Sequence, residues 1–569
     1  MIRSEALVTK ATPRARRGMV VAAHALGAEV GASILQRGGN AIDAAVATAF
    51  AMTVVEPFMS SIAGGGTMLI HLAKRGETVA LDFNVQAPAA CHETVYPLAD
   101  GVASDLFPWR KVADDANIFG HRSVAVPGSV AGLSLALERY GTMDLPDVMA
   151  PAIALARDGY VPDWYHALTM AVHAEELAAF SETARTHLRS GHYIHRPPTL
   201  ADGDRVRQPD LARSLELLAR DGPRAFYLGG IGQAICAEMT AHGGFVTAAD
   251  LAGYQVRILA PLVGRYRNLE LHFAPGATGG ITALEILNIL SAFPSEQVGC
   301  DSVHGLHLRA EAVRCGFQDR LTWLGDPECV EAPWDALASP EYGAAVAAGF
   351  RPRGPRSAKP APNPWLVRTK GPRATRPPRS GNAGSDCTTH IGTVDRHRNL
   401  VSLTHTAVSL FGSRVVVPGT GILLSNGMLW FDPEPGKPNS IAPGKRALVN
   451  MVPVLAFRRG QPFFTLGAPG GRKIISAIPQ VLSNLADMRL GPQAAIEAPR
   501  LHTEGGDLWV DDRVGAKALA TLAKMGHPVV PKHEDLSTLF FSRPVAIRVT
   551  RAGLEAGLDP LRAAAAAGH

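Results

Sequence analysis

Residues 351–380, RPRGPRSAKPAPNPWLVRTKGPRATRPPRS, constrain the fold more than any other stretch of the chain. They are rich in Pro, Arg and Lys and contain no Asp or Glu. Such a segment cannot bury a core and reads as an exposed, flexible linker, from about 350 to 385. Its charge is read as solvation, not as a binding patch. It divides 569 residues into a long mixed part and a short β-rich part. The short part opens abruptly at SDCTTHIGTVD (385–395).

Composition bounds the class. The chain is 46% hydrophobic and 19% charged, with a formal net charge of +5, much of it in the linker. These are globular values and give no nucleic-acid signal. The six cysteines form no CxxC pair, which argues against a zinc site or disulfide scaffold and for a reducing, cytoplasmic setting. The N-terminus has no apolar signal-peptide core, and the Ala-rich run at 41–55 is short and carries Asp43. No membrane span is expected.

Leu26, Val30 and Ile34 are spaced for an amphipathic helix within 22–37; Gly38-Gly39 can end it, and Asn40 can cap a second helix over 41–55. Residues 64–83 read as a β-hairpin, and 125–260 as mostly helical. After the linker, HIGTV and LVSLT flank the turn DRHRN, while PVLAF and FFTLG flank RRGQ. GAPGG (467–471) then leads into a helix spaced by Ile475, Ile478 and Leu482. Strands between helical ends fit a layered α/β sandwich.

If 395–399 is the turn, antiparallel register places Thr388 opposite Thr406. A threonine hydroxyl is a poor nucleophile without a base. At a chain N-terminus it acquires one, its own α-amine, whose pKa is about 7.7–8.0 in model peptides. Cleavage between Cys387 and Thr388 would therefore create nucleophile and base together, with Thr406 to orient them. Gly470 and Gly471, at a strand-to-helix turn, can offer backbone N–H groups to an oxyanion. The GGGT run at 64–67 lacks a P-loop lysine, so no phosphate role is assigned to it.

These residues resemble the γ-glutamyltransferase (glutathione hydrolase) family of N-terminal-nucleophile hydrolases. The likeness runs through GGNAIDAAVA (38–47), GGGTMLI (64–70), SVAVPGSVAGLSLALERYGTM (123–143), TTHIGTVD (388–395), GTGILLSNGM (419–428), PGKRALVNMVP (443–453) and GAPGG (467–471). It implies a four-layer αββα fold and a self-cutting proenzyme. A large fragment, 1–387, and a small catalytic one, 388–569, would form one intertwined domain as a heterodimer able to associate further. It implies Thr388 as nucleophile, Thr406 as its support and Gly470 and Gly471 as the oxyanion hole, with neither cofactor nor metal. His390 belongs to the Thr-Thr-His signature, and a structural part is expected for it.

The chain departs from the family where glutamate is read. The carboxylate-binding Arg falls at Asn84, and the Asn two residues after the second Thr is Val408. The acidic or amide position and the Asp after GILL.N are Gly427 and Trp430, and the Ser-Ser pair is Val449 and Asn450. Losing Arg removes a bidentate carboxylate partner, and losing Asp removes the anion facing the ammonium. The expected substrate is a small molecule with an acyl group other than γ-glutamyl, attacked by water or an amine. Branches of the family lacking the reader include β-lactam side-chain acylases, oxamate-type amidohydrolases and C–C hydrolases acting beside an oxalyl group in antibiotic pathways. The expected enzyme is a self-processing hydrolase of this fold that cleaves an amide-type or oxalyl-type C–C bond through a Thr388 acyl-enzyme; two alternatives stand beside it, a γ-glutamyl enzyme with a remodelled pocket, in which Arg414 or Lys473 replaces lost contacts, and a non-catalytic binding protein.

Overall fold

The computed structural model describes residues 8–103, 107, 109–351, 354, 362–368 and 387–569. Two seven-stranded antiparallel sheets carry the fold. The first runs Ala565–Gly568, Met19–Ala22, Thr389–Val394, Leu400–Thr406, Gly65–Leu72, Glu77–Phe83, Arg257–Leu259. The second runs Arg14–Ala15, Gly553–Leu558, Val545–Thr550, Gln461–Gly467, Val454–Arg458, Leu269–Phe273, Leu262–Tyr266.

Alternation along the strands shows the layering. Val20, Met68 and Ile70 face a core shared with the helices Ala25–Gln36 and Ala41–Val55. Their neighbours Met19, Val21 and Leu69 face a separate core, where they meet Leu455, Phe457, Val545 and Ile547 of the second sheet. Val454 and Ala456 turn the other way, onto the helices Gly280–Ser291, Val303–Trp323 and Lys473–Ala486. A period of two with both faces buried requires helices outside and sheets inside. The expected αββα sandwich is the observed one.

The local signals explain the elements. Asn40 caps the second helix in a full capping box with Asp43. Asp43 also accepts from Thr142 and from the Met143 amide, so this charge in an apolar run is a tertiary anchor. The first helix differs in detail from the sequence reading. Leu26 and Val30 are only partly buried, and Ala28, Gly31 and Ala32 lie inside. A Cβ at Gly31 would come within 2.3 Å of Thr48 Oγ1, so small residues set this close helix pair. The second hairpin turns more tightly than the four polar residues suggest. Its strands extend to Arg458 and from Gln461, leaving Arg459 (φ 53°) and Gly460 (φ 73°) as a two-residue turn.

Most of the expected linker lies outside the described residues. Within its described part, Pro364–Arg368 forms a short helix, with the Trp365 ring edge-on to Trp323. No helix among the described residues is long and apolar enough to cross a membrane.

Candidate active site

The register follows the count from the sequence: Val394 faces Leu400, and Thr389 faces His405. Thr388 is the residue just before the strand, and its hydroxyl is 3.4 Å from that of Thr406. It also lies against the carbonyl oxygen of Cys387, and Thr406 Oγ1 is 3.5 Å from that same oxygen. Thr406 accepts from the Val408 amide at 2.9 Å, which leaves its own proton to point at the Cys387 carbonyl. Both threonines are buried.

The hairpin is central in its sheet, between Met19–Ala22 and Gly65–Leu72. The glycine run at 64–67 explains how it is gripped. A Cβ at Gly64 would sit 2.1 Å from the Thr406 carbonyl oxygen, and one at Gly66 would sit 2.5 Å from that of Thr404. These glycines allow backbone to press on backbone.

His390 is wedged between the sheets. Its Nδ1 shares a 2.9 Å hydrogen bond with Thr404 Oγ1, and a Cβ on Gly467 would come within 2.0 Å of its ring. Burial pushes its pKa down to about 3, so the ring is neutral, in keeping with a structural part. Gly467 ends the strand that delivers Gly470 (φ 132°) and Gly471 (φ 52°), both in conformations that favour glycine. The helix Lys473–Ala486 begins directly after them.

Several residues at this centre carry no motif. Glu56 is buried, accepts from Thr389 Oγ1 at 3.2 Å and pairs with buried Arg562 at 3.3 Å. The Arg562 guanidinium lies over the Tyr165 ring at 4.7 Å. Cys387 Sγ donates to the Phe58 carbonyl at 2.8 Å, and burial pushes its thiol well above the usual range. It is therefore held as a neutral thiol. The one sequence signal for this group is Glu56 itself, which shares the otherwise uncharged stretch 41–70 only with Asp43.

The positions that depart from the glutamate reader are divided by the structure. Val408, Trp430 and Val449 join one buried apolar cluster with Val85, Met428, Phe107 and Trp109. Val408 lies two residues beyond Thr406, so this cluster adjoins the threonine pair. Asn84 is buried; its Nδ2 donates to Asp82 at 2.8 Å, and its Oδ1 has no hydrogen-bond partner among the described residues. Asn450 Oδ1 accepts from Arg320 at 3.3 Å. Gly427 has no room for a side chain, since a Cβ there would come within 2.6 Å of Ala125 and Val85. Its backbone is packed closely against both residues.

The two replacement cations are also engaged. Arg414 donates to Glu176, to Ser409 Oγ and to the Gly412 carbonyl, and stacks on Phe119 at 4.5 Å. Lys473 Nζ donates to the Leu539 carbonyl at 3.0 Å.

Known proteins share this architecture. The family model described as gamma-glutamyltranspeptidase matches residues 27–569. The acylase ACY 1 proenzyme of Pseudomonas sp. (strain SE83) is 38% identical over 515 residues, covering 90% of this chain and 87% of its own. The glutathione hydrolase proenzyme of Escherichia coli (strain K12) is 35% identical over 512 residues, covering 88% and 83%. The crystal structure of cephalosporin acylase from Bacillus halodurans superposes with a TM-score of 0.84 at 26% identity, covering 100% of this chain and 98% of that one. Sequence, fold and relatives agree, and the chain belongs to the γ-glutamyltranspeptidase family of hydrolases and acylases.

Proposed function

We propose that this protein is a self-processing acylase that cuts itself between Cys387 and Thr388 and then hydrolyses an amide whose acyl group is apolar. The observation that carries the reading is the convergence of the Thr388 and Thr406 hydroxyls on the Cys387 carbonyl oxygen. In processing, Thr388 Oγ1 attacks the carbonyl carbon of Cys387. The C–N bond breaks, and the hydroxyl proton passes to the nitrogen, which becomes the α-amine of Thr388. Water hydrolyses the resulting ester, leaving a carboxylate on Cys387.

In turnover the α-amine takes the Thr388 proton while Oγ1 attacks the substrate carbonyl. The Gly470 and Gly471 amides face the oxyanion, and the protonated amine then protonates the departing nitrogen. Water, or an amine acceptor, releases the acyl group. The apolar cluster around Val408, Trp430 and Val449 supports an uncharged acyl chain, because a glutamyl α-ammonium and carboxylate would be desolvated there without partners. Asn84 Oδ1 is a buried acceptor suited to a substrate N–H. A name that includes cephalosporin acylase among the structural relatives agrees with an acyl donor that is not γ-glutamyl. The same proposal places the enzyme in a reducing compartment, and its six cysteines are free thiols.

Intact mass with N-terminal sequencing tests the first half. The expected result is a fragment beginning Thr-Thr-His and ending at residue 569, and a Thr388→Ala chain that stays whole and inactive. A wild-type chain that stays at 60.1 kDa over days overturns it. A panel of amide donors tests the second half. Hydrolysis of aliphatic or arylacetyl amides over γ-glutamyl anilide is expected, and preference for the γ-glutamyl anilide overturns the apolar reading.

A further inference from the structure

We propose that His121, Glu238 and His242 form a binding site for a divalent transition-metal ion of the zinc type, outside the acyl-transfer centre. Two elements far apart in sequence build it. His121 opens the short turn His121–Ser123, while Glu238 and His242 lie one helical turn apart at the end of the helix Gly230–Ala241. His121 Nε2 is 2.8 Å from Glu238 Oε1, and His242 Nδ1 is 3.2 Å from the same oxygen. The three donor atoms all lie within 4.8 Å of one another.

Zinc takes imidazole nitrogen and carboxylate oxygen at about 2.0–2.2 Å, which in a tetrahedral site sets donors about 3.4 Å apart. Against that spacing, the 2.8 Å pair would open by about 0.6 Å and the 3.2 Å pair by about 0.2 Å. His121 and Glu238 side chains are each 15% exposed, and His242 is 52% exposed. The first two are therefore held by the fold, whereas the His242 ring, stacked on that of His121 at 4.3 Å and with its Nδ1 3.1 Å from the Glu238 carbonyl oxygen, must rotate out of the stack at the exposed helix end to complete the set. Two imidazoles and one carboxylate suit zinc rather than calcium or magnesium, which prefer all-oxygen sites. One side of the group faces solvent, leaving a position for water and a route of entry.

The placement has a consequence for the neighbouring site. The His121–Ser123 turn packs on the turn Gly427–Trp430, and the Gly120 amide donates to the Ser413 carbonyl at 2.9 Å. A metal ion would tie the turn Gly427–Trp430, part of the apolar cluster, to the helix Gly230–Ala241. No spacing motif announces it, because 117 residues separate His121 from Glu238.

The test uses the full chain without a histidine tag, stripped with EDTA and titrated with zinc chloride by calorimetry. One saturable site per chain is expected. His121→Ala, Glu238→Gln and His242→Ala should each weaken it at least tenfold while circular dichroism stays unchanged. Zinc should raise the unfolding midpoint of the wild type and leave that of Glu238→Gln unmoved. Absence of a saturable site overturns the proposal. So does a site of equal affinity in all three variants, which would place the ion on other histidines.

Discussion

Val408 combines a β-branched side chain with a left-handed backbone, φ 89°. That conformation costs roughly 1–3 kcal/mol in a non-glycine residue. It is repaid in geometry, since it turns the Val408 amide back onto Thr406 Oγ1. Asparagine, which the family resemblance implies at this place, tolerates such a backbone well, so valine stands here against a local preference. Its side chain is buried in the apolar cluster. Val408→Asn should therefore fold with stability within about 1 kcal/mol of the wild type, as relieved strain offsets a buried amide. Its turnover of apolar donors should fall at least tenfold. A melting curve and a donor panel check both. Thr406→Val removes the hydroxyl while keeping the shape. It should slow self-cleavage and turnover by about a hundredfold, the scale of one lost transition-state donor. Thr406→Ser should keep most of both rates, as followed by the appearance of the 388–569 fragment.

At the scale of elements, the hairpin Thr389–Thr406 is held by the strands Met19–Ala22 and Gly65–Leu72 on either side of it and by the strand Gln461–Gly467 of the facing sheet. Ser402 Oγ donates across the sheet interface to the Leu466 carbonyl at 3.0 Å, and Thr465 Oγ1 donates back to the Val401 carbonyl at 3.0 Å. These reciprocal bonds lock the two sheets in one relative position. Gly467→Ala would drive a methyl into the His390 ring, and that ring is penned in by Thr404 and Ser402. The sheets would have to part. The expected outcome is a chain that accumulates uncut and insoluble, read by gel on expression. Trp430→Asp combined with Asn84→Arg supplies two of the missing glutamate contacts. It should lower activity on apolar donors without producing γ-glutamyl hydrolysis, because Gly427, pressed on Val85 and Ala125, cannot be given the side chain the reader needs. Release of an anilide chromophore measures this.

At the scale of the molecule, cleavage after Cys387 would leave its products interlocked. The small fragment supplies the central hairpin of one sheet, and the large fragment supplies strands on both sides of it. The fragments should co-elute on gel filtration and separate only in denaturant. Burial also sets the acid limit of the whole fold. His71, His166, His405 and His527 are pushed down to about 4, and His187 and His390 to about 3, in each case chiefly by desolvation. Each is neutral in the native state and takes up a proton on unfolding below about pH 6.5. The unfolded state then binds more protons, so stability is complete above that pH and is lost as pH falls toward 4. Each group removes up to about 1.4 kcal/mol per pH unit in that window. The urea midpoint should be flat from pH 7 to 8 and drop steeply between 6 and 5.

By itself the sequence determined what is local. The turn at 395–399 set one register for Thr388 and Thr406, because a slip of one residue would reverse every face. Asn40, Gly38-Gly39 and the GAPGG turn marked element ends through backbone chemistry that acts over a few residues. The layered class followed from the order of these elements. The tertiary structure alone decided the rest. Glu56 and Arg562 stand 506 positions apart, and Asn84, Phe107, Val408, Trp430 and Val449 come from distant segments. Gly427 matches a substrate-binding position in the aligned motif, and its backbone is packed closely against Ala125 and Val85. Such pairings leave no period or spacing in the chain, because close packing between layers, and not the dihedral preference of any one segment, selects which side chains meet.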